Sequence, residues 1–181
     1  AIALARYETV RWRSADGTEV EGILVHPLEQ PAGRRAPLIV QIHGGPASAY
    51  MNTFNAGHGN YPHIFAAHGY AVLQPNYRGS TGYGEKFQAE ISGNYWPRAF
   101  EDIMAGVDHV IERGIAHPDS LGMMGWSAGG HWSNWTLVQT DRFKAISSGA
   151  GVVNWISLYA QTDVQTTREY YIGGSGALDA P

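Results

Sequence analysis

The sequence contains no cysteine among its 181 residues. Disulfides, thiolate metal sites and a cysteine nucleophile are thereby excluded, although a cysteine-free chain tolerates either redox environment. Charge is also sparse: Asp, Glu, Lys and Arg make up 15% of residues, with a formal net charge of -4. Basic residues form no cluster longer than Arg34-Arg35, so neither nucleic acid nor an anionic membrane surface is expected as a partner. No apolar run is long enough to span a bilayer, and Ala1 to Arg6 is too short for a secretory leader. There is no initiator methionine, and the chain closes on the weakly structured stretch Gly173 to Pro181. Both ends are expected to be cuts through a longer protein. The compartment stays open.

What is present is an apolar content of 44%, enough for one globular domain with a sizeable core. Tyr7 to Arg13 and Glu19 to His26 alternate apolar and polar residues about Asp16-Gly17, which predicts an antiparallel hairpin. Leu38 to Ile42 and Tyr70 to Pro75 read as buried strands, with a short helix over Tyr61 to His68 between them. Pro97 to Arg113 carries Phe100, Ile103, Met104, Val107, Val110 and Ile111 at helical spacing. A strand over Leu121 to Met124, a helix from about Ser127 to Val138 and a strand near Phe143 to Ser148 follow. Alternating strand and helix predicts an α/β fold with a mainly parallel sheet covered on both faces.

Gly125-Trp126-Ser127-Ala128-Gly129-Gly130 falls between that strand and that helix, the context of a nucleophile elbow. Ser127 is the expected nucleophile. Attack on an acyl carbon also needs donors for the oxyanion: in such a fold one is the backbone N–H after the nucleophile, here Ala128, and the other comes from an earlier loop. His43-Gly44-Gly45-Pro46, directly after a buried strand, is that loop. His43 itself either braces the loop backbone or presents its ring to the substrate.

Other motifs dissolve on inspection. The glycines of Gly79-Ser80-Thr81-Gly82-Tyr83-Gly84 have the wrong spacing for a dinucleotide loop, so a surface loop is expected. Asp102 reads as a structural carboxylate favoured by the dipole early in its helix. His117 with Asp119 lacks a third ligand, so no metal and no cofactor is expected. Trp126, Trp132, Trp135 and Trp155 read as core.

Taken together, Asp16-Gly17, His43-Gly44-Gly45-Pro46, Asn76 to Gly84, Glu101-Asp102, His117-Pro118-Asp119 and Gly125 to Gly130 resemble the catalytic domain of prolyl oligopeptidase family serine peptidases, from about Glu8 to Gly174. The resemblance implies an α/β-hydrolase fold, cut before its last strands, and a peptide substrate. It implies oxyanion donors at Gly45 and Ala128, and a pocket for the side chain before the scissile bond bordered by Val152, Trp155 and Tyr159. Ala128 and His131 stand where the family usually has tyrosine, which implies a wider pocket. Triad order in this fold is serine, acid, histidine, and the only histidine after Ser127 is His131, on the same helix. The resemblance therefore places the catalytic acid and histidine beyond Pro181, and a propeller domain before Ala1. A carboxylesterase and a non-catalytic binding module remain as alternatives, and the oligomeric state is unreadable.

Overall fold

Asp16 and Gly17 close the first hairpin: the Asp16 carboxylate accepts from Thr18 N at 3.0 Å, and Gly17 takes φ +85°. This computed structural model describes residues 3–31, 33–54, 57 and 61–173. The hairpin joins β1 (Tyr7–Arg13) to β2 (Glu19–Val25), in a register that pairs Tyr7 with Val25 and Arg13 with Glu19. Strand β3 (Ala36–Ile42), helix α1 (Pro62–Ala67), strand β4 (Ala71–Asn76), helices α2 (Glu85–Ala89) and α3 (Tyr95–Glu112), strand β5 (Ala116–Trp126), helix α4 (Ala128–Gln139), strand β6 (Phe143–Gly149) and helices α5 (Trp155–Gln161) and α6 (Gln165–Ile172) follow.

The six strands form one sheet in the order β1-β2-β4-β3-β5-β6. β1 and β2 run antiparallel, as do β2 and β4; the pairs β3–β4, β3–β5 and β5–β6 are parallel. Period-two alternation sorts side chains between the faces. Val10, Trp12, Leu24, Leu38, Val40 and Leu73 point into the main core with Ile103 and Val107 of α3 and Trp132 of α4. Ile23, Val25 and Val72 point the other way, onto Ala66 of α1. The second cluster reaches only part of the sheet, and on β6 Lys144, Ala145, Ser147 and Ser148 are exposed.

The predicted strands and long helices are found, with shifted ends. α3 begins at Tyr95, two residues before Pro97, because a proline in the first turn lacks only an N–H that would have no partner there. β5 reaches back from Leu121 to Ala116, an extension with His117 to Ser120 exposed that apolar patterning does not mark. The short helices α2, α5 and α6 also carry no strong periodicity. The expected flexible stretch after Gly173 lies outside the described residues.

Candidate active site

Ser127 stands at the turn between β5 and α4 with φ 57° and ψ -120°, one of two non-glycine residues with positive φ among the described residues. The turn is held at both ends: Ser127 N donates to Gly149 O at 2.9 Å, and His131 N donates to Ser127 O at 3.0 Å. Close approach dictates the flanking glycines. A Cβ on Gly125 would lie 2.3 Å from Gly129 backbone, and one on Gly129 would lie 2.2 Å from Ile42 O. The elbow thus packs its own strand and helix against the end of β3. Trp126 is 68% exposed, which corrects its assignment to the core: as the last residue of β5 it lies beyond the covering helices. Trp132 is fully buried.

The pairing of Ile42 with Gly125 delivers the loop after β3 to the elbow. A Cβ on Gly44 would sit 3.2 Å from Ser127 Cβ and 3.8 Å from its Oγ, so the glycine lets the loop lie against the serine. Gly45 adopts φ +120°, in the region that favours glycine. The ring of His43 is buried and turned into the protein. Its Nδ1 lies 2.8 Å from Gly44 O and its Nε2 lies 2.9 Å from Ser80 Oγ, while the ring stacks on Tyr77 at 4.4 Å. Burial lowers its pKa to about 4, so the imidazole is neutral at pH 7. Of the two readings of His43, the geometry is that of the brace.

The segment after β4 is not the surface loop expected. Tyr77, Arg78, Gly79 and Ser80 are buried, and only the distal Gly82 and Gly84 are exposed. Tyr77 OH donates to His43 O at 2.7 Å, Asn76 holds both Tyr50 N and Tyr50 O at 2.7 and 2.9 Å, and Thr81 N donates to Ser48 O at 3.0 Å. The segment is therefore stitched along the loop that faces Ser127. Arg78 anchors it, with Nη2 2.6 Å from Asp102 Oδ1, Nε bonded to both oxygens of that carboxylate, and Nη1 bonded to Asp16. Asp102 is structural as expected, but for a different reason. Because α3 starts at Tyr95, Asp102 lies two turns in and answers Arg78 rather than the helix dipole.

Val152 and Trp155 line a cavity of about 390 Å³ together with Trp96, His131 and Trp135. Tyr159 is not on its wall; its hydroxyl donates to Glu169 Oε1 at 2.5 Å, which turns the ring toward α6. Ala128 is 2% exposed and packed in the main core, so it does not line this cavity either. Trp96 escaped the sequence reading, and Trp135, read there as core, is half-buried on the cavity wall; the one-turn spacing of His131 and Trp135 on α4 could have signalled this shared face.

The seven described histidines all have their rings engaged away from Ser127. His131 meets Tyr95 OH at 2.9 Å through Nδ1, and burial, then Arg168, lowers its pKa to about 4. His26 binds Glu8, His63 binds Tyr7, His68 binds Ile64 O, His109 stacks on Trp12 and His117 accepts from Asp119 N. His58 lies outside the described residues.

The model of the prolyl oligopeptidase family matches residues 57–179. The chain belongs to the prolyl oligopeptidase family. It is 37% identical over 158 residues to the uncharacterized peptidase YuxL of Bacillus subtilis, covering 87% of this chain and 23% of that protein. Against the solved acylaminoacyl peptidase of Pyrococcus horikoshii it superposes with a TM-score of 0.88 at 30% identity, over 99% of this chain and 29% of that one. An acylaminoacyl peptidase in complex with Z-Gly-Gly-Phe-chloromethyl ketone matches with a TM-score of 0.87 at 30% identity, over 98% of this chain and 28% of that one. The fold is that of an α/β-hydrolase. The chain spans about a quarter of the length of these relatives. Ser127 has the positive φ of a sharp strand-to-helix turn.

Proposed function

We propose that residues 1–181 are part of the catalytic domain of a serine peptidase that cleaves peptide bonds through an acyl-enzyme. The observation that carries this reading is Ser127, held at φ 57° on the β5–α4 turn with the glycine loop against its Cβ. Ser127 Oγ attacks the carbonyl carbon and loses its proton to a histidine; the C–N bond breaks, the amine leaves with that proton, and water hydrolyses the resulting ester. The developing oxyanion is taken by the N–H groups of Gly45 and Ala128, the latter aided by the positive end of the twelve-residue helix α4. The side chain before the scissile bond enters the cavity lined by Val152 and Trp155.

Because the triad order of this fold puts the histidine after the serine, and His131 is turned to Tyr95, on this reading the base and its orienting acid come from chain beyond Pro181. The segment alone is then inactive as a peptidase. Kinship with peptidases, one of them holding a peptidyl chloromethyl ketone, supports the substrate class.

The test uses the full-length protein. Turnover of aminoacyl anilides, stoichiometric labelling of Ser127 by a fluorophosphonate and loss of both in Ser127→Ala are expected. Turnover of short acyl esters alone would make the protein an esterase; neither turnover nor labelling would make it a binding module.

A further inference from the structure

The buried turn Tyr77–Ser80 takes no part in the acyl-transfer steps above, yet two of its side chains end on His43. Tyr77 donates to the His43 carbonyl, and Ser80 Oγ lies 2.9 Å from Nε2. On the other side of the ring, Nδ1 lies 2.8 Å from Gly44 O. A carbonyl only accepts, so Nδ1 carries the proton. With the ring neutral, Nε2 is an acceptor, and the group facing it is the Ser80 hydroxyl. That hydroxyl has a second acceptor, Tyr77 O at 2.6 Å, and one proton to give. Tyr77 O already accepts from Ser80 N at 3.0 Å, so it keeps a donor when the hydroxyl proton goes to a neutral Nε2; a protonated ring donates from both nitrogens and returns the hydroxyl to Tyr77 O.

The carbonyl of Gly44 and the N–H of Gly45 are opposite ends of one planar peptide unit. Holding the oxygen on His43 Nδ1 therefore fixes the direction of the N–H. We propose that Ser80 is a positioning residue for acyl transfer: by donating to His43 Nε2 it holds the ring as the Nδ1–H tautomer, which clamps Gly44 O and aims the Gly45 N–H at the oxyanion. This inference rests on the serine-peptidase reading. Without the hydroxyl, the ring can carry its proton on Nε2 instead, and the Nδ1 lone pair then faces the Gly44 oxygen. The two repel, and the peptide turns.

The experiment measures anilide hydrolysis by the full-length protein. Since losing an oxyanion donor outright lowers kcat about 100-fold or more, Ser80→Ala is expected to lower kcat about tenfold with KM held within about twofold. In a His43→Phe background, where the ring no longer has nitrogens to set, Ser80→Ala is expected to lower kcat less than about twofold further. A kcat unchanged in Ser80→Ala, or a full additional tenfold loss in the His43→Phe background, overturns the proposal. Should Ser80→Ala fail to fold, Ser80→Cys carries the test: a thiol is a weak donor, so a fall in kcat of about threefold is expected and an unchanged kcat overturns it. An inactive wild type whose Ser127 resists a fluorophosphonate refutes the peptidase reading itself. An active wild type with an unaltered Ser80→Ala refutes only the role of Ser80.

Discussion

Arg78 and Asp102, 24 residues apart, meet with neither side chain more than 1% exposed. Without Asp102 the buried guanidinium keeps Asp16 at Nη1 but loses the carboxylate at Nε and Nη2, so Asp102→Ala is expected to lower stability by about 3 kcal/mol. Replacing both, with Arg78→Met and Asp102→Leu, is expected to lower it less. The exposed pair Arg142–Asp108 is the control, where Arg142→Ala changes stability by less than about 1 kcal/mol. Urea midpoints of the full-length protein decide it. Equal losses for Asp102→Ala and Arg142→Ala would remove the distinction.

Glycines of the elbow and of an open turn differ in what surrounds them. A methyl on Gly129 meets the backbone oxygen of Ile42 at 2.2 Å, whereas one on Gly69 meets nothing within 4 Å. Gly129→Ala is therefore expected to abolish soluble folded protein, and Gly69→Ala to lower stability by only the left-handed strain of about 1–2 kcal/mol. Comparable thermal melts for the two variants would contradict this.

Acid should weaken the fold in a defined window. His43 and His131 both have folded pKa values near 4, pulled down from 6.5 by burial. Below pH 6.5 the unfolded chain takes up protons that the folded one refuses, so stability is full above that pH and lost as it falls toward 4. At 1.36 kcal/mol per unit, each ring accounts for roughly 3 kcal/mol. The slope between pH 6.5 and 5 lies above the ordinary carboxylate range, and His131→Phe is expected to reduce it. A midpoint that is flat from pH 7 to 5 would show that these rings titrate normally.

Substrate selection should follow the cavity wall. Trp155→Ala is expected to raise KM for anilides with a large apolar side chain before the scissile bond by about tenfold, as a hot-spot aromatic does. Tyr159→Phe, turned to Glu169, is expected to leave KM unchanged. A larger effect at Tyr159 than at Trp155 would relocate the pocket.

Patterning made the layers legible because burial of one strand face or one helix stripe leaves a period in the sequence. Val10, Trp12, Val20 and Leu24 follow it, and so do Ile103, Val107 and Val110. The elbow was legible for a local reason: Gly125 and Gly129 avoid contacts within a few residues of themselves or with the adjoining strand. What escaped depends on distance along the chain. Nothing near Asp102 announces Arg78, and nothing near Ser80 announces His43, because the parallel crossovers that bring them together lie outside any local window. Trp126 was misplaced for a related reason. Residue type sets a preference for burial, but neighbouring elements decide whether anything covers the ring.

The backbone of Ser127 sits where a Cβ is unwelcome, at a cost of about 1–3 kcal/mol. Ser127→Gly relieves that strain, partly offset by the added freedom of glycine in the unfolded chain. On the proposed peptidase reading, a screen that rewards heat resistance alone would then drift toward losing the nucleophile, returning proteins that outlast the wild type and hydrolyse nothing.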